Sequence, residues 1–442
     1  INLKIVIMYQ NEIFLITCEV IFISLMFSVP INLLSKNKYI VLKDLSLIDR
    51  LLINLIFLSN ILLLSSIFNI QTFFILLGYV ILILYLYIIK DSSIKKKNKI
   101  NFSYLIIFFI IILISIDLSY ELFFGWDVKW HIYFKAFHFQ QNQSFANLIN
   151  LPINDYPHFG GVLWSFFWKY PFNNYEYLGR ISYVAIYILS IFSITEILKI
   201  DFLKSTILSI LLILITYEYD LISGELDILV FSYLLIATKF TNYFFEKKYK
   251  KNNNLILFII LMIANILCWT KNEGLFFIIF LFISLILTNI LEKKQIFFLI
   301  IGLFVIILFR YGSMEAIGLK HNPVHYQLDR TLNFNFNDFL YRTKLIFFYL
   351  PIYLIQNILY LIVLPILGYL ILKENKDKRV KLMTLFLIMH FIFIYFLYFF
   401  KSIDIEFTIR NSMKGFLFGT LGFYIYALII YMDKKIALIN KN

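Results

Sequence analysis

The sequence predicts an all-α, polytopic transmembrane helical bundle, and three observations predict it. Hydrophobic residues make up 61% of the chain and charged residues only 15%, whereas a soluble domain carries about a quarter charged residues. Apolar runs of roughly 20 residues recur along the whole chain, each a candidate membrane helix. Lys and Arg cluster in short polar loops that alternate along the chain, the pattern that positive-inside orientation produces. In lipid every backbone group must be satisfied within its own segment, so the runs are read as helices rather than strands.

Taken in order, the runs predict about thirteen spans, at roughly 12–34, 48–68, 71–90, 103–124, 177–198, 203–219, 225–244, 254–270, 273–292, 295–311, 354–373, 381–400 and 412–432. The basic loops fall on one side of that count. They hold Lys36 to Arg50, Lys90 to Lys99, Lys199 and Lys204, Lys247 to Lys251, Lys293 and Lys294, Lys373 to Lys381, and Lys434 with Lys435. That side is predicted to be the cytoplasm. The region 1–100 then forms N-terminal transmembrane helices. Residues 101–432 form the functional membrane region, with outer loops at 125–176 and 311–351, and 433–442 form a cytoplasmic tail. Segments 128–141, 157–169 and 337–350 mix aromatics with isolated charges and are predicted as short interfacial helices.

The formal net charge of +13 lies in the orienting loops, which argues against nucleic acid as a partner. Cys18 and Cys268 both sit in apolar runs, so no disulfide and no zinc-type spacing is expected. No basic region precedes the first apolar run, so no cleavable signal peptide is predicted. Transporters place ionisable groups near the bilayer midplane. Here the midplane holds little beyond Glu19, Asp117 and His390, and no internal repeat is visible. Polar residues gather in the outer loops instead, as in an enzyme that opens to the outer face.

Gly125-Trp126-Asp127-Val128-Lys129-Trp130-His131 opens the first large outer loop. Asp127, His131 and Lys135 are spaced i, i+4, i+8, so a helix would place them on one face. A carboxylate beside a histidine suits a general base, and Lys129 and Lys135 suit phosphate. The alternative is that all of these are headgroup-level anchors. Tyr156 and His158 follow in Asp155-Tyr156-Pro157-His158, where Asp155 and Pro157 read as ordinary helix-start residues. The turns holding Glu218, Asp220, Glu225 and Asp227 gather carboxylates that could hold a divalent metal or share a proton. His321 and His325 are weaker metal candidates, since Asn322-Pro323 disfavours a helix between them. Lys271-Asn272-Glu273-Gly274 forms a short outer turn. Arg410 opens the last span, where a helix N-terminus adds to an anion site.

In this order, Gly125-Trp126-Asp127 with Trp130 and Lys135-Ala136, Asp155-Tyr156-Pro157, Gly224-Glu225-Leu226-Asp227, Lys271-Asn272-Glu273-Gly274 and Arg410 resemble bacterial GT-C-type glycosyltransferases. These are multi-pass enzymes related to protein O-mannosyltransferases and to the aminoarabinose transferases of lipid A. The resemblance covers about Gly125 to Asn411. It implies transfer of a sugar from a polyprenyl-phosphate donor to a glycan, lipid or protein acceptor, with inversion, on the extracytoplasmic side of a bacterial cytoplasmic membrane. It implies Asp127 as the base, with Glu225 and Asp227 as further catalytic carboxylates. Lys129, His131, Lys135, Tyr156, His158, Lys271, Glu273 and Arg410 would line the substrate and phosphate site. No cofactor is implied beyond a divalent metal that the carboxylates could hold. Two departures are visible: about four spans precede the catalytic loop instead of one, and Asp127 stands alone where a paired acidic motif is common. A polymerase or ligase of lipid-linked polysaccharide is the neighbouring enzyme class, and a lipid or glycan transporter is the alternative of a different class.

Overall fold

The computed structural model describes residues 2–28, 45–88, 102–120, 124–168, 174–217, 219–246, 253–319, 335–400 and 404–439, and among them there is no strand. The helices are α1 (Asn2–Ser28), α2 (Leu47–Ile67), α3 (Thr72–Ile88), α4 (Phe102–Tyr120), α5 (Tyr133–Gln140), α6 (Phe159–Phe167), α7 (Tyr177–Thr195) and α8 (Phe202–Thr216). They continue as α9 (Tyr219–Ser223), α10 (Asp227–Asn242), α11 (Asn253–Thr270), α12 (Asn272–Leu287), α13 (Lys293–Ala316), α14 (Phe336–Gln356), α15 (Ile358–Lys373), α16 (Lys378–Phe399) and α17 (Ile405–Ile439).

Over their described residues twelve of the thirteen predicted runs coincide with a helix, whereas 354–373 crosses from the end of α14 into α15. Residues 29–34, 89–90, 121–123 and 218 of the runs lie outside the described residues, and the count of thirteen spans is not established. Among the described residues seven helices are long and apolar enough to cross a membrane, or eight if the bent pair α14–α15 is one span. The apolar stretches Phe202–Thr216 and Asn272–Leu287 rise only about 1.5 Å per residue, short of the ~30 Å hydrocarbon core. The predicted interfacial helices 128–141 and 157–169 appear as a π-helical turn at Val128–Ile132 leading into α5, and as α6. The helix predicted at 337–350 lies within α14. It ends at Asn357, whose side chain accepts from the Leu359 amide at 3.0 Å and starts α15. The two axes meet at 102°, so they cannot both run along the bundle. His321 and His325 lie outside the described residues.

The buried centre is α10, which packs on α7, α11 and α17; every residue of α7 and α10 is buried. Close packing of α10 on α17 depends on small residues. A Cβ on Gly422 would lie 2.0 Å from the Phe231 carbonyl oxygen, and one on Gly419 would lie 3.1 Å from Val230. Only glycine allows that approach. By contrast α13, apolar along most of its length, has 11% of its span buried, as expected of a helix whose solvent is lipid.

The two ends of α10 carry different chemistry. Asp227 opens the helix and Lys239 lies twelve residues later, about 18 Å along the axis. Lys239 sits in a buried ionic cluster with Asp49 at 3.6 Å and Glu196 at 3.5 Å. Tyr243 donates to Asp49, and Ser46 donates to Glu196 at 2.6 Å. This cluster ties α2 and the end of α7 to α10, far from the residues that follow.

Candidate functional site

Four turns converge at the Asp227 end of α10: Gly125–Asp127, the bend at Asp155–His158, Gly224–Asp227 and Thr270–Glu273. Each ends or starts a helix, so polar side chains surface there without interrupting an apolar run. Gly224 adopts φ +85°, a left-handed conformation that favours glycine, and this reverses the chain so that Glu225 turns back toward the first turn. The Gly125 amide donates to the Ser223 carbonyl at 3.3 Å, and the Asp127 amide donates to Glu225 Oε1 at 3.2 Å. Glu225 therefore fixes the Asp127 turn.

Lys271 Nζ donates to both carboxylate oxygens of Asp227, at 2.8 and 2.9 Å. Gly415 of α17 packs against the same carboxylate, and a Cβ there would lie 2.8 Å from Asp227 Oδ2. Burial opposes the charge on Lys271. Asp227, with Tyr156, Glu273 and Asp127 around it, nevertheless raises the ammonium well above its ordinary value. Glu273 Oε2 is buried with no hydrogen-bond partner.

Asp127 is the uncommitted member. Among the described residues no side chain bonds to its carboxylate. Burial raises its pKa, Lys271 opposes the rise, and Asp227 and Glu273 add to it. A partly buried carboxylate that has no hydrogen-bond donor of its own and is disfavoured as an anion is a competent proton acceptor. The Tyr156 phenol shares this field. Burial first, then Glu273, pushes it well above the ordinary tyrosine value, with Lys271 opposing.

The structure separates other residues that the spacing had grouped. The π turn at Val128–Ile132 breaks the α-helical phase, and no hydrogen bond joins Asp127 to His131. The His131 ring lies 4.5 Å from the Tyr156 ring, its Nδ1 has no partner, and burial, with Lys135 and Lys271, lowers its pKa to about 3. Lys135 is 1% exposed and donates to the carbonyls of Ile153 at 2.9 Å and Tyr156 at 2.6 Å. Its ammonium is held by backbone, so the geometry gives no support to a phosphate-binding role. His158 is buried, 3.2 Å from Ser66 Oγ, and is walled by Phe139, Phe145 and Trp269. Lys129 is exposed beside Trp126 and Trp130. Arg410 is exposed and engages Glu406 at 2.5 Å and Tyr349 at 2.8 Å, five residues before Gly415 on α17. Among the described residues no three His, Cys, Asp or Glu side chains are placed to hold a metal. Lys271 lies among the carboxylates instead.

Two buried arginines support the site, and neither was singled out in the sequence. Arg180 donates to the Ile222 carbonyl just before Gly224 and to Glu176 at 2.7 Å, with Phe124 and Trp164 against its guanidinium. Arg310 donates to the Cys268 carbonyl at 2.5 Å and to the Asn272 side chain, bracketing Lys271. The available signal was a charge inside or at the end of an apolar run, which is expensive unless it has a purpose. No protein family, curated protein or solved structure matches the chain.

Proposed function

We propose that this protein is an integral-membrane glycosyltransferase of the GT-C type, moving a sugar from a polyprenyl-phosphate donor to an acceptor hydroxyl. The observation that carries the reading is the uncommitted Asp127 carboxylate, raised in pKa by burial and set beside the Asp227–Lys271 pair, Glu273 and Tyr156. Asp127 takes the acceptor proton as the acceptor oxygen attacks the anomeric carbon. The bond from that carbon to the phosphate oxygen breaks, the polyprenyl phosphate leaves, and the carbon inverts. Lys271 supplies positive charge inside the cluster, while Lys129 and Arg410 are exposed cations at the same end and suit a headgroup-level phosphate. Glu225 positions Asp127, and Lys135 and His131 position Tyr156.

The reading places this end of the bundle outside a bacterial cytoplasmic membrane and keeps thirteen spans, supported by the unbroken alternation of basic loops. The decisive experiment incubates purified protein with polyprenyl-phosphate-linked sugars and surface glycans, lipids or proteins from a deletion strain. Transfer is expected. Failure to transfer, together with movement of labelled lipid between leaflets, would establish a transporter instead. For orientation, Trp126→Cys in a Cys18→Ser background should react with an impermeant maleimide in intact cells; protection of that thiol reverses the topology.

A further inference from the structure

Near the carboxylate cluster lies an open cleft with about 130 Å³ of solvent-accessible space, between the corner joining α2 to α3 and the loop after α5. Its position in the bundle is fixed by α2. The Asp49 end of that helix meets Lys239, and its Ser66 end meets His158. The cleft is therefore at the Asp227 end of the molecule. The lining connects to the site through one layer of side chains: Ser66 lies 3.2 Å from His158, whose ring lies 4.9 Å from Trp269, two residues before Lys271, and Asn69 Oδ1 accepts from the Phe145 amide at 2.7 Å.

The lining has an unusual chemistry for a chain so apolar. Ser65, Ser66, Asn69, Gln71 and Thr72 come from one corner, and Gln143 and Ser144 face them, with Phe139 and Phe166 as aromatic walls. None of the lining side chains is charged. Gln71, Thr72 and Ser144 make no side-chain hydrogen bond among the described residues, so their donors and acceptors are available. A phosphate or carboxylate ligand would need a cation, and the cleft offers none. An acyl chain would leave the Gln71, Thr72 and Ser144 side chains without partners on desolvation. What satisfies both the polar rim and the aromatic walls is a neutral ligand dense in hydroxyls with one apolar C–H face.

We propose that this cleft is an acceptor subsite that binds neutral sugar units of a glycan. The proposal rests on the glycosyltransferase reading and narrows its acceptor to a glycan, held beside the reacting end and away from the charged cluster.

The test is binding without any donor, so that failure of transfer and failure of this subsite are read separately. Full-length protein in phosphatidylcholine nanodiscs is titrated with cellobiose, lactose and N,N′-diacetylchitobiose, with glucuronic acid as the charged control, by saturation-transfer NMR. At least one neutral disaccharide should bind saturably and glucuronate should not. Gln71→Ala, at an exposed position, and Ser144→Phe, which fills the cleft, should each weaken binding by roughly tenfold. Absence of disaccharide binding, equal affinity in both variants, or preference for glucuronate overturns the proposal. Occupancy confined to nanodiscs containing glucosyl-diacylglycerol assigns the cleft to a lipid headgroup and overturns it as well. If the disaccharides bind as expected but wild-type protein never uses a polyprenyl-phosphate sugar, the subsite stands and the transferase reading falls.

Discussion

Lys271 grips both oxygens of Asp227, at 2.8 and 2.9 Å, and in doing so joins the start of α10 to the turn between α11 and α12. Both partners are largely buried, so the pair is held by mutual need rather than by net attraction. Removing one partner from such a pair leaves a buried charge uncompensated.

Lys271→Met should therefore lower stability by about 3–5 kcal/mol, read as a fall in the thermal unfolding midpoint in detergent. Adding Asp227→Asn should recover much of the loss, because the orphaned charge is gone. A double variant as unstable as the sum of the singles would show that the two residues act independently.

Asp127→Asn keeps shape while abolishing proton acceptance. Loss of a positioned base costs about 10²–10⁴-fold in rate, so transfer should nearly cease while donor binding persists. Because burial raises the Asp127 pKa, the acid limb of the wild-type pH–rate profile should lie above the ordinary Asp value near ~3.9. Near-normal transfer by the variant would move the base to another carboxylate.

Lys135 gives a pH signature in stability. Burial, with Arg310 adding to it and Asp155 opposing, lowers its pKa to about 7, below the unfolded value of ~10.4. Between those two values the unfolded chain binds more protons than the folded one, so stability rises with pH by up to about 1.4 kcal/mol per pH unit. Below about pH 7 the penalty of the buried ammonium is fully present. Relative to Lys135→Met, the wild type should gain melting temperature from about pH 7 to about pH 9. Parallel curves for the two proteins would mean that Lys135 does not titrate there.

Gly422→Ala tests the central helix contact. The added Cβ would press on the Phe231 carbonyl at 2.0 Å, which is backbone and cannot swing aside. Forced overpacking of this kind costs about 1–3 kcal/mol, with the 5.2 Å stack of Phe231 on Phe418 disturbed. Unchanged thermal stability would show that α10 and α17 can separate freely.

The helical class, the positions of most apolar helices and the short helices within 128–141 and 157–169 were legible in the sequence. These follow from composition, run length and mixed polarity, which are local properties of a chain whose solvent is lipid. The sequence also singled out Asp127, Glu225, Asp227, Lys271, Glu273 and Tyr156 as polar residues at helix ends, where lipid no longer forbids them. How they combine follows from packing. Spacing suggested an Asp127–His131–Lys135 face, but the π turn at Val128–Ile132 changes the phase, and backbone carbonyls capture Lys135. The partners that matter are far apart in sequence: Asp227 with Lys271, Asp127 with Glu225, and Arg180 with the Ile222 carbonyl. The same holds for the uncharged cleft at Gln71 and Ser144, whose residues look like ordinary loop polarity until the α2–α3 corner meets the loop after α5. A pattern along the chain reports the environment of each residue, whereas a site is made by packing that brings separate turns to one place.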